Sequence, residues 1–398
     1  MKQLTLEKID TLDGWQVWPD SWGGIPSFEA AGSFPPGATG AIQGHFPGIL
    51  YKELTEGQTR DCDAWNSQAG LSFWVKGDGS ENHGCLAIGP DNPHSWQQGW
   101  AQSTAYAFYF PLKETGWHQV TAGWHEFVAE ESQPDIGAPG GLLPAGIRVI
   151  RLGNRWRWKH HPNEPSPGRD YAIADIRFAS TVAPRKPVPP LAGLEGVLAK
   201  LLRKEPVSIR ILGDSISVGH FEGCDGVECY GDRLGRMLRG MFGHEAITID
   251  NRAVCAARIS DARGWVPRDF AGTAPDLVMM KYGTNDSVSH KPEEFARMLG
   301  DYLDRVAVAT GSRSAVLLLT PIPGALERYD SAVPVADIIR DTAARRGLPC
   351  CDLHSAFKEL GAERVGAMMD SATVHPDAEG QELIARTIAG YLGGRAGK

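Results

Sequence analysis

Long apolar segments are missing from this chain, and no apolar run approaches the ~18 residues that a membrane-spanning helix needs. The first residues, MKQLTLEKIDTLDGW, also lack the apolar centre of a secretory signal peptide. The sequence therefore predicts no membrane span, and a protein that is either cytoplasmic or secreted and freed of its leader. Positive charge is not in surplus, because the formal net charge is −8. This charge argues against nucleic acid and anionic membranes as partners.

Cysteine is scarce, and the seven cysteines are an odd number that does not suggest a disulfide framework. Cys224 and Cys229 could close a small loop, but free thiols are the favoured interpretation. Cys350 and Cys351 lie in an apolar segment, which is typical of a core strand. No Cys/His spacing indicates zinc, so we expect neither a metal nor another cofactor.

The length of 398 residues predicts two domains. Residues 1–183 show strand signals without helical periods, which favours an all-β sandwich. The clearest strand runs are 71–76, 85–89, 105–110, 118–122, 147–152 and 171–178. This series resembles the jelly-roll sandwiches of carbohydrate-binding modules, a resemblance that implies the fold more than the ligand.

Tryptophan is concentrated in this first domain, which holds eleven of the twelve between Trp15 and Trp158. Most of them are expected to fill the sandwich core. Others could stack on sugar rings, whose C–H faces are apolar. Trp96 and Trp100 are our candidates for sugar binding, because they lie in the polar segment NPHSWQQGW, which has no strand pattern.

A Pro-rich linker and a lead-in helix are predicted over residues 184–204. In the following domain, 205–398, apolar runs alternate with helical periods, which predicts a doubly wound α/β fold with helices on both faces. Five runs are interpreted as buried parallel strands: 207–212, 246–249, 277–280, 315–319 and 348–351. The last helix is predicted to begin at Pro376.

Polar residues follow these strands at the edge where open α/β folds bind their ligands. Ser215, in the sequence VSIRILGDSISVG, comes directly after the first strand and is a candidate nucleophile. The second strand is followed by NRAVCAA and the third by KYGTND. The segment TVHP, residues 373–376, lies near the C-terminus. These segments resemble the blocks of the SGNH (GDSL-type) hydrolase family, over about residues 205–398.

The resemblance implies acyl-transfer chemistry at three side chains. Ser215 would attack an ester carbonyl, and His375 would take its proton. The oxyanion would be bound by the backbone N–H groups of Ser215 and Ala256 and by the side-chain amide of Asn285. Two-domain carbohydrate esterases with an N-terminal jelly roll are similar in arrangement, and some are thought to use a Ser–His dyad.

Two positions depart from the family pattern. Ala256 replaces a Gly, and its backbone donor is expected to survive if φ stays negative. Ala372 stands where the family has the acid of the triad, three residues before His375. Three explanations are open: an Asp-to-Ala substitution that inactivates the enzyme, a Ser–His dyad, or a substitute acid, Asp370, that reaches the imidazole from a different turn.

The favoured function is an esterase that removes acetyl groups from a saccharide or polysaccharide. A lipase or thioesterase is the first alternative, although no apolar lid segment is visible. The second alternative is a glycan-binding protein with a silenced hydrolase domain, which Ala372 favours and the intact Ser215, Asn285 and His375 oppose. We expect a small-molecule or polysaccharide ester as the partner, and neither nucleic acid nor a membrane.

Overall fold

The computed structural model describes residues 4–18, 25–90, 105–154, 169–219, 228–370 and 374–396. Trp96, Trp100, Cys224 and Ala372 lie outside these ranges, so the predictions made for them have no structural counterpart here. The described chain divides into two compact units. The first consists of residues 4–154, 169–186 and 263–271, and the second of the remaining described residues from 187 onwards.

The first unit is built from short antiparallel strands. They are β1 Thr5–Glu7, β2 Trp15–Val17, β3 Ser27–Ala30, β4 Ile42–His45, β5 Ile49–Glu53, β6 Gly70–Lys76, β7 His83–Gly89, β8 Tyr106–Pro111, β9 His118–Gly123, β10 Val128–Ala129, β11 Val149–Gly153 and β12 Asp170–Ala179. A short helix, α1, spans Glu56–Thr59, and 3₁₀ turns span Cys62–Ser67, Trp124–Glu126 and Pro144–Gly146. One sheet has the order β3-β4-β12-β6-β9 with β1 beside β12, and the other has the order β10-β8-β7-β11-β5-β2.

The core of this unit lies between the two sheets. Along β6, Leu71, Phe73 and Val75 are buried, as alternation along a strand requires when one face is covered. They share one cluster with Leu86 and Ile88 of the other sheet. All six predicted strand runs are present. The first five strands were missed, because three to five residues give too few alternations for a pattern to be recognised.

The second unit contains a five-stranded parallel sheet, as predicted. Its strands are β13 Val207–Gly213, β14 Ile247–Asn251, β15 Leu277–Lys281, β16 Ala315–Leu319 and β17 Cys350–Cys351, in the order β14-β13-β15-β16-β17. The helices are α2 Glu195–Arg203, α3 Ser215–Val218, α4 Tyr230–Phe242, α5 Ile259–Asp269, α6 Asp286–Ser289, α7 Pro292–Thr310, α8 Val333–Arg346, α9 Leu353–Lys358, α10 Ala362–Ala367 and α11 Ala378–Ala396; a 3₁₀ turn spans Leu326–Arg328. Of helix α5, only residues 259–262 belong to this unit, and the rest is counted with the first.

The start of the last helix corrects the sequence prediction. Helix α11 begins at Ala378 and not at Pro376. Pro376 instead forms an antiparallel bridge with Met369, and the carboxylate of Asp377 accepts the N–H of Gly380 at 2.9 Å. The capping residue therefore follows the proline, because the proline is needed to close the preceding turn.

Strand order determines where a ligand can bind in this unit. Strand β13 lies between β14 and β15, so the connection from β13 to β14 runs to one side and the connection from β14 to β15 crosses to the other. In parallel α/β sheets such a switch point opens a crevice at the carboxyl ends of the strands. Within the described ranges, no helix combines the length and hydrophobicity of a membrane span.

Candidate active site

The turn after β13 presents Ser215 at the first position of α3, where the residue is only 7% exposed. Asp214 caps this short helix by accepting the N–H of Ile216 at 3.1 Å. Gly213 is required here, because a Cβ atom would lie 2.4 Å from the Ser217 hydroxyl and 2.7 Å from the Lys281 carbonyl. The Gly-Asp-Ser sequence therefore packs β13 against β15 and places the Ser215 hydroxyl at the carboxyl end of β13.

The structure brings Ser215, His375 and Asp370 into one contiguous chain of contacts. The Ser215 Oγ lies 2.9 Å from Nε2 of His375. On the other side of the ring, Nδ1 lies 3.1 Å from Oδ2 of Asp370. The hydroxyl, the imidazole and the carboxylate thus lie in the relative positions of a Ser-His-Asp triad.

The turn that holds this imidazole explains how an acid five residues before the histidine reaches the ring. The N–H of Asp370 donates to the carbonyl of His375 at 2.8 Å. In return, Oδ1 of Asp370 accepts the N–H of His375 at 3.3 Å. Together with the bridge between Met369 and Pro376, these bonds close the turn. The carboxylate and the ring are thereby held on the same side.

Two of the three candidate oxyanion donors, Ala256 and Asn285, lie in the loops that follow β14 and β15. Asn285 directly precedes α6, and its Nδ2 donates one N–H to the carbonyl of Ala257 at 3.0 Å. A side-chain amide has two N–H donors, so this bond fixes the direction of the second. Ala256, next to the acceptor, is half-buried in a tight turn.

The backbone of Ala256 differs from the expected conformation. Its φ is +60°, in the left-handed region that favours glycine. The condition of a negative φ, on which the survival of this backbone donor was made to depend, is therefore not met. The methyl group is accommodated at the cost of backbone strain, and the residue still carries a backbone N–H donor in this conformation.

This strain leads to a stability prediction. We expect Ala256→Gly to raise the free energy of unfolding by about 0.5–1 kcal/mol. Left-handed backbone costs alanine ~1–2 kcal/mol, and the freedom of glycine in the unfolded chain offsets ~0.4–1 kcal/mol of the gain. Urea unfolding would measure the change. The matched control is Ala257→Gly, where φ is not positive and the same substitution should lower stability; equal effects at both positions would contradict the argument.

Asp286, which the sequence analysis did not single out, joins the two loops. Its Oδ1 accepts the N–H of Ile259 at 2.9 Å, and its Oδ2 accepts the N–H of Gly283 at 3.1 Å. The side chain is fully buried, and burial raises its pKa to about 7. Only its place after Asn285 in the sequence could have drawn attention to it.

A buried ion pair, which the sequence analysis did not predict, connects the residue before Ser215 to the residues around Asn285. Nζ of Lys281 lies 3.1 and 3.3 Å from the two carboxylate oxygens of Asp214 and 3.1 Å from the Thr284 hydroxyl. Both charged side chains are 0% exposed. Burial lowers the pKa of Lys281, and the Asp214 carboxylate opposes that shift.

Gln381 of α11 is a third missed residue. Its Nε2 donates to the carbonyl of Ile216 at 3.1 Å, and its Oε1 accepts the N–H of Tyr230 at 2.8 Å. The side chain is buried. It therefore links α3, the helix that begins with Ser215, to α11, the helix that follows His375. In the sequence, a Gln within a helical period gave no indication of these contacts.

The buried pair of Asp286 and His290 leads to a prediction about pH. Burial lowers the pKa of His290 from 6.5 to about 4. Between these two pH values the unfolded chain binds more protons at His290 than the folded chain does. The contribution of His290 to stability therefore grows as pH rises from about 4 to 6.5. Asp286 acts in the opposite direction, because its folded pKa lies above 3.8, and its contribution falls between pH 3.8 and about 7. The two trends partly cancel in the parent protein.

Comparison with His290→Asn isolates the histidine. We expect the parent to gain ~3 kcal/mol in free energy of unfolding relative to this variant between pH 4 and pH 6.5. Urea unfolding at both pH values measures the difference. A difference that does not change with pH would rule out a neutral buried imidazole.

Among the residues that the structure describes, no group of three or more His, Cys, Asp or Glu side chains could hold a metal ion. Cys229 is buried, and its Sγ lies 3.3 Å from a carboxylate oxygen of Asp232.

Comparison with known proteins adds a family match. Residues 211–383 match the model of the GDSL-like Lipase/Acylhydrolase family. The match covers less than half of the chain, includes Ser215, Asn285, Asp370 and His375, and indicates a hydrolase. None of the curated proteins compared with the chain matches it.

Several solved structures resemble about half of the chain. An α/β hydrolase from the metagenome of Lake Arreo, Spain, is 22% identical with a TM-score of 0.41, over 47% of this chain and 95% of that one. An acetylxylan esterase from Geobacillus stearothermophilus is 18% identical with a TM-score of 0.40, over 47% and 94%. A lipase/acylhydrolase from Enterococcus faecalis is 21% identical with a TM-score of 0.42, over 48% and 96%. Likeness at these values carries no argument about activity.

Proposed function

We propose that this protein is a serine esterase that hydrolyses acetyl and other short acyl esters of a saccharide or polysaccharide. The observation that carries the proposal is the chain of contacts from Ser215 Oγ to His375 Nε2 at 2.9 Å and from His375 Nδ1 to Asp370 at 3.1 Å. In this proposal Asp370 is the acid of the triad. The two alternatives, a Ser–His dyad without an acid and an inactivated enzyme, are not adopted.

The proposed reaction proceeds by two acyl transfers. His375 takes the proton of the Ser215 hydroxyl as the oxygen attacks the ester carbonyl. The protonated imidazole, stabilised by Asp370, then donates that proton to the departing sugar hydroxyl, and an acetyl-serine remains. Water attacks this ester with His375 again as the base, and the proton returns to Ser215 as acetate leaves.

Charge that develops on the carbonyl oxygen requires fixed donors. We assign this role to the backbone N–H groups of Ser215 and Ala256 and to the second N–H of the Asn285 amide. The bond from Asn285 to the Ala257 carbonyl orients that amide before substrate binds, and Asp286 holds both loops together. Donors that are already oriented stabilise the oxyanion without reorganisation during the reaction.

The proposal extends to the domains. Residues 1–183 would form a jelly-roll domain of the carbohydrate-binding type, 184–204 a linker with a lead-in helix, and 205–398 the catalytic domain. Trp96 and Trp100 remain our sequence-based candidates for stacking on sugar rings. An acetyl group is favoured because the sequence contains no apolar lid segment of the kind that long acyl chains need.

The test is a comparison of acyl chains. We expect faster turnover of 4-nitrophenyl acetate than of the octanoate, and release of acetate from acetylated xylo-oligosaccharides, with Ser215→Ala as the blank. A fluorophosphonate should label Ser215 in the parent. A preference for octanoate would favour a lipase or thioesterase. Absence of both labelling and turnover would favour a silenced glycan-binding protein.

The proposed role of Asn285 gives a further prediction. We expect Asn285→Ala to lower kcat for the acetyl ester by about 10²–10³-fold, the usual effect of removing one oxyanion donor. The matched control is Ser287→Ala, which removes a nearby polar side chain whose hydroxyl donates to the Thr284 carbonyl and should leave kcat within about threefold. An unchanged kcat in Asn285→Ala would exclude the amide as an oxyanion donor.

A further inference from the structure

The outward face of one sheet in the first unit carries a groove of about 540 Å³. This volume lies within the range of small-ligand pockets, ~300–1,000 Å³. Side chains from four strands or their ends line it: Ser27, Glu29, Gln43, His45, Lys76, Asp78, Asp170 and Ala172. Neither the family match nor the proposed active site includes this groove.

Strand register explains why these side chains lie side by side. His45 is directly opposite both Ser27 and Asp170, and these residues form one row across β3, β4 and β12. Gln43 is opposite both Glu29 and Ala172. Directly opposite residues in antiparallel strands point to the same face.

Ala172 gives the groove its depth. It continues the second row to Lys76, and a methyl group between longer polar side chains leaves open space above the sheet. One row further along the same face, Trp74 is opposite Ala174 and is only partly buried. Its side chain packs against the apolar cluster of Ala31, Ala41 and Ala174.

The polar groups of the groove are already held in place. Nδ1 of His45 lies 2.6 Å from Oδ1 of Asp170. Asp78 accepts the backbone N–H of Ser80 at 2.8 Å and that of Asp170 at 3.4 Å. Paired acceptors and donors fixed in this way suit a ligand with several adjacent hydroxyl groups, because each hydroxyl both donates and accepts.

The charges that line the groove favour an uncharged ligand over an anion. Three carboxylates, from Glu29, Asp78 and Asp170, face one lysine, so an anionic ligand would be repelled. Within the described ranges, no group of His, Cys, Asp and Glu side chains has the geometry of a metal site. We propose that the groove binds a neutral oligosaccharide, separately from the active site; the proposed function enters only in the choice of saccharides as probes.

Titration calorimetry with unacetylated xylohexaose, cellohexaose and mannohexaose tests the proposal on the full chain. We expect one of them to bind, and His45→Ala and Asp170→Ala each to weaken binding about tenfold, because each removes a hydrogen bond to a charged or paired group. The two side chains are 48% and 62% exposed, so neither substitution should unfold the protein. Affinity should be nearly equal in 0.05 and 0.5 M NaCl, since a neutral ligand is not screened.

The matched control is Lys113→Ala, which breaks the exposed ion pair with Glu81 on the same unit and should leave the affinity unchanged. Turnover of 4-nitrophenyl acetate should be unaffected in all three variants. Absence of binding to any of the three saccharides, or binding that survives both groove substitutions, overturns the proposal. Binding is measured without ester cleavage, so failure of the groove is distinguishable from failure of the esterase proposal.

Discussion

Asp370→Asn is expected to lower kcat for the acetyl ester by about 10⁴-fold, the effect of replacing the acid of a Ser-His-Asp triad by its amide. The carboxylate lies 3.1 Å from Nδ1 of His375 and selects the tautomer that carries its proton there. An amide nitrogen at this place would donate to Nδ1 and move the proton to Nε2. Nε2 faces Ser215 at 2.9 Å, so the base would be lost.

The measurement is kcat with 4-nitrophenyl acetate, together with thermal unfolding to show that the variant is folded. Asp370 has a side chain that is 20% exposed, and its amide is nearly the same size, so stability should change little. Ala372→Asp serves as the comparison. We expect it to give no large gain in the parent and no recovery in Asp370→Asn. Recovery there would assign the acid to position 372 and contradict the role of Asp370.

Lys281→Met is expected to lower the free energy of unfolding by about 3–5 kcal/mol, because it leaves the Asp214 carboxylate buried without its cation. Methionine is close to lysine in length, so little packing is lost. Both residues of the pair are 0% exposed, and solvent cannot replace the missing charge. The same carboxylate caps the serine helix at Ile216, so kcat should fall as well.

Urea unfolding measures the loss, and a second variant keeps the test valid if Lys281→Met does not fold. In Asp214→Asn/Lys281→Met both charges are removed, and stability should recover most of the difference, because a buried ion pair can be replaced by neutral groups at little net cost. A loss of less than about 1 kcal/mol in the single variant would show that water reaches the pair.

The strands of the second unit could be predicted because their signal is local. Runs such as 315–319 are continuously apolar, as expected of strands covered on both faces, and strand β16 has these limits. The polar residues that follow the strands meet at one edge for a topological reason, since parallel strands end on the same side. From the sequence, Ser215, Asn285 and His375 could therefore be predicted to meet at this edge.

The acid could not be chosen in the same way. From the sequence, an Asp-to-Ala substitution at position 372, a Ser–His dyad and a substitute acid at Asp370 all stayed open. The contact of Asp370 with the imidazole depends on the bonds between Asp370 and His375 and on the bridge between Met369 and Pro376. The left-handed φ of Ala256 was missed for the same reason. Residue type gives only a preference for backbone angles, and the surrounding contacts can override it.

The sequence by itself determined the parallel five-stranded core, six of the antiparallel strands before it and the residue types at the strand ends, because period and turn chemistry are properties of neighbouring residues. Only the tertiary structure decided that Asp370 contacts the imidazole of His375 and that Lys281 pairs with Asp214. The same holds for His45 and Asp170, which lie opposite each other on the neighbouring strands β4 and β12. These contacts join residues whose distance in space depends on strand order and turn geometry, and no local pattern encodes that distance.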